Sequence, residues 1–424
     1  MKKINIIAAA ALLLLTATTK AQSLSYGQYM EQVLCNNIAL TAQRLNIEIA
    51  TAKIKASKVR NNPTLAITYS SNEDWSKKLG DAIEGELNRT FTFGVRESGI
   101  KVAEQNSRET AALLEEYLRN FRADATIAYL EHLKAIEKLK IESTIEEELK
   151  SVARNDSLRH ASGEIAKAEW LESSMAAGIA QNNRLAAEAA VKTTAVALGY
   201  YMGNLDNAEE ITGSGTLEIN EPTQPLHAYT EKAISNRADL QAAICRIDIA
   251  EAAKKFNAAQ RRTDLNVTIG ATYNRGARNE EPHAPSFTTV KAGVAIPIKI
   301  SNLNKGARTI DRLLVQQAEQ EAEDARLLVT SEVMQAYNEY RYATLQAETF
   351  TLRMIDEMNE IVAGKRKAYE KGEIPFLDYI SIERRQGEME AAHLEALFNK
   401  AVKWVELQRA VGCKMEFTTE PMSE

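Results

Sequence analysis

The sequence predicts a mainly α chain with membrane β: long helices that pair as antiparallel coiled coils, interrupted twice by pairs of amphiphilic strands. Three observations carry this fold class. Glycine (19) and proline (8) are scarce for 424 residues, and residues 100–154 contain neither, which favours long uninterrupted helices. Segments near 64–70, 89–96, 264–274 and 287–298 alternate apolar with polar side chains. An apolar leader with a basic start opens the chain, which directs it out of the cytoplasm.

The leader reads in order. Met1-Lys2-Lys3 is a basic n-region, Ile6 to Leu15 an apolar run, and Thr19-Lys20-Ala21 a small-x-small cleavage site before Gln22. Residues 1–21 are therefore expected to be a signal peptide, and loss of its three lysines takes the formal net charge from −6 to −9. With 52 Lys and Arg against 58 Asp and Glu, no basic excess exists to grip a phosphate backbone, so nucleic acid is not an expected partner. The hydrophobic set at 45% and charged residues at 26% exclude a disordered polymer. Cys35, Cys245 and Cys413 are odd in number and far apart, which suggests neither a disulfide framework nor a zinc site. Cys35 is also too far along to be a lipid-attachment cysteine. Beyond the leader no stretch of about 18 apolar residues occurs, so membrane residence requires a β-barrel.

The elements repeat. Asn36-Asn-Ile-Ala-Leu-Thr-Ala42 lies above Asn236-Arg-Ala-Asp-Leu-Gln-Ala242 at an offset of 200, which continues through Ile47/Ile247, Ala52/Ala252, Leu65/Leu265 and Thr68/Thr268. The offset drifts to 208 at Ala128-Tyr129/Ala336-Tyr337 and 209 at Gly163-Glu-Ile165/Gly372-Glu-Ile374 and Gly203/Gly412. The chain divides accordingly into a leader (1–21), a first repeat (22–212), a second repeat (213–412) and a short tail (413–424).

Each half reads helix, strand, strand, long helix, helix. In the first, residues 26–61 have helical spacing and Asn61-Asn62-Pro63 stops them. A strand at about 64–70 puts Leu65, Ile67 and Tyr69 on one face, a polar loop is expected over 71–88, and a second strand at about 89–96 aligns Phe91, Phe93 and Val95. A long helix runs to about 154, a break spans 155–163, and a further helix reaches about 202. In the second half, Leu265, Val267, Ile269, Ala271 and Tyr273 alternate strictly with Asn266, Thr268, Gly270, Thr272 and Asn274. A loop then leads to a strand at about 287–298, a helix over about 307–370, the turn at Gly372 and a last helix ending near Gly412.

A transmembrane strand needs about 9–11 residues with one lipid-facing and one lumen-facing side. Four strands cannot close a barrel alone, and an open edge is not tolerated in lipid, so several copies must share one. Arg96 and Lys291 fall on the polar register of their strands, which makes them candidate lumen or rim charges; Phe91 and Tyr273 fall toward the loops, in an aromatic girdle. The alternative is a secreted coiled-coil structural or adhesive protein without a pore, for which amphiphilic strands have no use.

With this order in place, the chain resembles the TolC family of trimeric outer-membrane efflux channels over nearly its whole mature length. The resemblance rests on the duplicated order, on Asn236 to Ala242, on Ala295-Ile-Pro297-Ile with Gly306, and most specifically on Tyr369-Glu-Lys-Gly-Glu-Ile-Pro-Phe-Leu-Asp378. It implies a homotrimer in the outer membrane, four strands per chain in a twelve-stranded barrel, and a helical tunnel in the periplasm. It also implies a periplasmic adaptor and an inner-membrane transporter as partners, surrounding outer-membrane lipid, and a passive duct for efflux or type I secretion. Heavy-metal cations and small amphiphilic toxic compounds are the cargo classes it leaves open. The absence of a GxxxxGK[ST] loop fits a passive duct without cofactor.

The resemblance further places Asp378 in a charge ring at the periplasmic entrance, with Ser381 where the family has a second acid. It pairs Tyr369 with Glu169 as an entrance latch, while Ile374 replaces the arginine that strengthens the family's latch. The five histidines, His132, His160, His227, His283 and His393, form no metal-ligand motif, and no catalytic constellation is visible. His283 beside Glu280 and Glu281 is the one place where a cation is weakly expected.

Overall fold

The structure, a computed structural model, describes residues 23–74, 77–219, 224–276, 285–298 and 304–413. The expected signal peptide, His283 with its two glutamates, and all of the tail past Cys413 lie outside the described residues. The chain forms two compact units, one from Met1–Ala42, Tyr117–Arg237 and Val329–Glu424, the other from Gln43–Glu116 and Ala238–Leu328.

In chain order the first half contains β1 (Ser23–Ser25), α1 (Tyr26–Asn36), α2 (Ile38–Ser57), β2 (Thr64–Asp74), β3 (Lys77–Phe91), α3 (Val95–Ala161) and α4 (Lys167–Met202). A 3-10 turn at Ala208–Glu210 and β4 (Thr212–Ser214) follow. The second half contains α5 (Leu226–Asn236), α6 (Ala238–Gln260), β5 (Leu265–Asn274), β6 (Phe287–Ala295), α7 (Lys305–Glu348), α8 (Leu352–Glu370) and α9 (Phe376–Val411). At about 1.5 Å per residue, the 67 residues of α3 extend roughly 100 Å.

Four boundaries differ from the sequence reading. The helix expected over 26–61 breaks at Asn37, which is buried; its side chain accepts from Leu40 N and donates to Tyr201 O at 2.9 Å, so it starts a new helix rather than continuing the old one. The break expected at 155–163 is helix as far as Ala161, because Asp156 is held inside the core by a tertiary hydrogen bond described below. The helix expected over 307–370 is interrupted, with Thr351 capping α8 by accepting from Met354 N. The first pair of strands, expected at about 64–70 and 89–96, is β2 at Thr64–Asp74 and β3 at Lys77–Phe91, so the polar segments 71–74 and 77–88 are strand rather than loop.

The unit built from the two ends and the middle of the chain has a tyrosine-rich core. Tyr29 and Tyr129 stack at 5.2 Å, and Tyr26 meets Tyr129 edge-on at 5.6 Å. The Tyr129 hydroxyl lies 2.7 Å from the carbonyls of Leu24 and Ser214 and accepts from Ser214 N, which pins the parallel β1–β4 ribbon. Glycines at the two helix ends that the duplication aligned are left-handed, Gly203 at φ 72° and Gly412 at φ 73°. A Cβ on Gly203 would sit 2.6 Å from Asn36 O and one on Gly412 3.1 Å from Arg237 Cγ, so each packs against the helix break of its own half.

The other unit carries a four-stranded antiparallel sheet in the order β2-β3-β5-β6. Register places Leu65 opposite Leu87, Leu87 opposite Ile269, and Ile269 opposite Ala292, so one face is apolar from edge to edge. That face is uncovered within the chain: Ile67 is 73% and Val290 76% exposed. The opposite face carries Thr64, Asn88, Thr268 and Gly293 in one cross-strand row. No helix among the described residues is long and apolar enough to cross a membrane. Tyr69 and Tyr273 flank Ile83 near the loop end of the sheet, whereas Phe91 faces Leu265 at the helix end. Phe91 and Tyr273 therefore belong to opposite rims, not to one girdle.

Candidate functional site

Two regions hold the residues singled out from the sequence. The first is a pair of helix hairpins, α3–α4 and α8–α9. Both turns use the same device: Gly163 (φ 84°) and Gly372 (φ 77°) take left-handed conformations. Glu164 N then bonds Arg159 O at 2.8 Å, and Glu373 N bonds Ala368 O at 2.9 Å. Tyr369, Phe376 and Tyr379 pack with Leu149, Val152 and Ala177 in one buried cluster that joins the hairpins. Tyr369 stacks on Tyr379 at 5.6 Å and meets Phe376 edge-on at the same separation.

Within this cluster the Tyr369 hydroxyl donates to Asp156 Oδ2 at 2.7 Å. Asp156 is 1% exposed, and Arg159 lies 3.7 Å from its other oxygen, with its guanidinium 5.7 Å from the Tyr369 ring. Burial first, and the Asp156 carboxylate second, hold the phenol well above its usual range, so it stays a donor. Within this chain the Tyr369 hydroxyl is thus engaged by Asp156 rather than by Glu169, the partner expected from the sequence. Glu169 sits half-buried in the first turn of α4 and acts on Tyr369 only as a charge through space. Asp156, in the last turns of α3 and turned inward, takes the bond.

Asp378 lies exposed in the first turn of α9, where a carboxylate complements the helix dipole. Ser381 donates back to the Asp378 carbonyl at 2.9 Å, a bond within the helix, and adds no charge. One turn further into the hairpin, Glu383 is buried on the same helix, and burial together with the neighbouring Glu148 pushes its carboxyl up to about 7. A groove of about 400 Å³ runs beside it, lined by Ile145, Ile179, Ile380 and Gly387.

The second region is the polar face of the sheet. Lys291 on β6 contacts Glu84 and lies 3.1 Å from Glu86, both on β3. Asn88 bonds Thr268, and Thr90 bonds Asn266 at 2.6 Å, so the same face continues as neutral hydrogen-bonded pairs. Arg96 is not part of this face. It opens α3, where it donates to Lys58 O at 3.3 Å and pairs with Glu97, because the strand ends five residues before it. Sequence reasoning missed Asp156, Glu84 and Glu86. Only the even spacing of Glu84, Glu86, Asn88 and Thr90 hinted at a strand. Among the described residues, no group of three or more His, Cys, Asp or Glu is arranged to hold a metal ion.

The chain is 21% identical over 350 residues to the cobalt-zinc-cadmium resistance protein CzcC of Cupriavidus metallidurans, covering 82% of this chain and 80% of that one. The structure superposes on crystallised CusC with a TM-score of 0.75 at 15% identity, covering 92% of both chains. It superposes on the Campylobacter jejuni CmeC outer membrane channel with a TM-score of 0.74 at 13% identity, covering 91% of this chain and 85% of that one. The model of the outer membrane efflux protein family matches residues 29–204 and 230–413, one segment in each half. The chain belongs to the outer membrane efflux protein family.

Proposed function

We propose that three copies of this chain close one twelve-stranded barrel and serve as the passive outer-membrane duct of a heavy-metal efflux system. A periplasmic adaptor and an inner-membrane transporter feed it. The observation that carries the cargo class is the likeness to a cobalt-zinc-cadmium resistance protein over 82% of the chain. The shared barrel is supported by a sheet with an exposed apolar face and two open edges, β2 and β6, neither of which lipid tolerates unpaired.

In this reading the hairpin cluster forms the periplasmic entrance. Tyr369 and Asp156 tie the two hairpins of one chain together, and three exposed Asp378 carboxylates line the mouth. Such a ring repels anions and concentrates cations, which suits divalent cargo. Growth of a deletion strain across metals, dyes, detergents and bile salts tests the assignment. Sensitivity restricted to divalent metals, restored by the intact gene, is the expected result. Broad sensitivity to amphiphiles with normal metal tolerance overturns the cargo class and leaves the duct.

A further inference from the structure

We infer that Glu84, Glu86 and Lys291 form the charge-selectivity element of the barrel lumen, with Lys291 laid across β5 as a built-in counter-charge. The inference rests on the shared-barrel reading above, since that reading turns the polar face of the sheet inward.

The register is what makes the triad specific. Glu86 lies opposite Gly270, and Gly270 lies opposite Lys291, so acid, gap and base occupy one row across three strands. The lysine and the glutamates therefore sit two strands apart, about 10 Å. They meet because nothing stands between them. A Cβ at Gly270 would come within 3.0 Å of Lys291 Cε and 2.9 Å of Gly85 O, so a side chain there would occupy the path of the lysine stem. Glycine in a strand interior weakens it, and a position that keeps glycine beneath a charged side chain marks a close approach.

Stability does not account for the arrangement. The side chains are 43% exposed for Lys291, 29% for Glu84 and 25% for Glu86, and a partly exposed ion pair contributes only about 0–1 kcal/mol. The neighbouring rows of the same face manage with threonine and asparagine. Charge on this face is instead useful to ions in transit. Two carboxylates against one ammonium leave one net negative charge per chain. Repeated around a closed barrel, this is a fixed ring of modest cation preference. Arg89 does not belong to the ring: it has the opposite parity on β3, facing Val267, and stacks over Phe91 at 5.1 Å.

The test is the reversal potential of purified channels in a planar bilayer under a potassium chloride gradient. All variants are placed in an Asp378→Asn background, so that the entrance does not set the reading. The parent is expected to prefer potassium over chloride. Lys291→Gln should raise the permeability ratio roughly 2–5-fold, as the carboxylates lose their counter-charge. Glu84→Gln with Glu86→Gln should carry the ratio to the anion side. Lys291→Met, which keeps the stem, should reproduce the glutamine result and covers the case in which the latter assembles poorly. Channels of normal conductance whose ratio is the same in all variants overturn the selectivity element and leave the barrel intact. A parent that forms no channels at all sinks the barrel reading and this inference together.

Discussion

Tyr369 reaches across from one helix hairpin and donates to a carboxylate that water does not reach. Removing only its hydroxyl isolates the contribution of that bond, because the ring keeps its stacking on Tyr379. A buried acceptor deprived of its donor costs about 1–3 kcal/mol, so Tyr369→Phe should favour separated hairpins by a factor of roughly 5 to 150. The expected outcome is a larger mean conductance in bilayers; a variant that conducts like the parent removes Tyr369 from the latch. His132 makes a second prediction. Burial pulls its imidazole down to about 4, and Nδ1 lies 2.9 Å from Thr194 Oγ1 in a site with no exposure. The folded value lies below the ordinary one, so the contribution of neutral His132 is complete above about pH 6.5 and is lost as pH falls toward 4. At pH 5 the loss is roughly 2 kcal/mol. Thermal melts in detergent should show that loss between pH 7.5 and 5, and His132→Gln should abolish most of it.

Individual helices and strands show what pattern alone reveals. The α9 helix holds Glu383 in the buried seam, facing Glu148 from α3 and Arg366 from α8, with Tyr379 on its own helix. Its folded value, about 7, is above the ordinary carboxylate range, so the protonated form packs best. That contribution is full below about pH 4.5 and disappears as pH rises through 7, opposite in sign to His132. Glu383→Gln should therefore raise the melting temperature at pH 8 and change it little at pH 5; an equal effect at both contradicts the assignment. Much at this scale was legible. The β5 strand was plain because its apolar and polar residues alternate without exception and its polar set is neutral. The β3 strand was not, because Asp81, Glu84 and Glu86 read as a solvated loop until the lysine that answers two of them appears 205 and 207 residues later. Asp156 was hidden for the same reason, with its tyrosine 213 residues away. Helix breaks at Asn37 and Thr351 also escaped, since both rest on side-chain caps rather than on glycine or proline.

For the whole molecule, the decisive property is an apolar sheet face that the chain itself leaves uncovered. Val290 and Thr289 are neighbours on β6 and point to opposite sides of the sheet, Val290 facing Ala271 and Thr289 facing Thr272. An arginine on the lipid side near the midplane costs about 2–4 kcal/mol, and a trimer incurs it three times. Val290→Arg should therefore abolish the trimer recovered from outer membranes, whereas Thr289→Arg should leave it in place. Equal recovery of both would show that the apolar face does not meet lipid.

The two unpaired edges of the sheet have a consequence for inheritance. If every chain completes its hydrogen bonding only through neighbouring copies, a defective chain does not fail alone; it spoils the assembly that admits it. In a cell making intact and Val290→Arg chains in equal amounts, only about one trimer in eight would be free of an altered copy. Such an allele should behave as dominant, with efflux through the channel falling well below half of normal. A recessive allele would mean that altered chains are sorted out before the barrel closes.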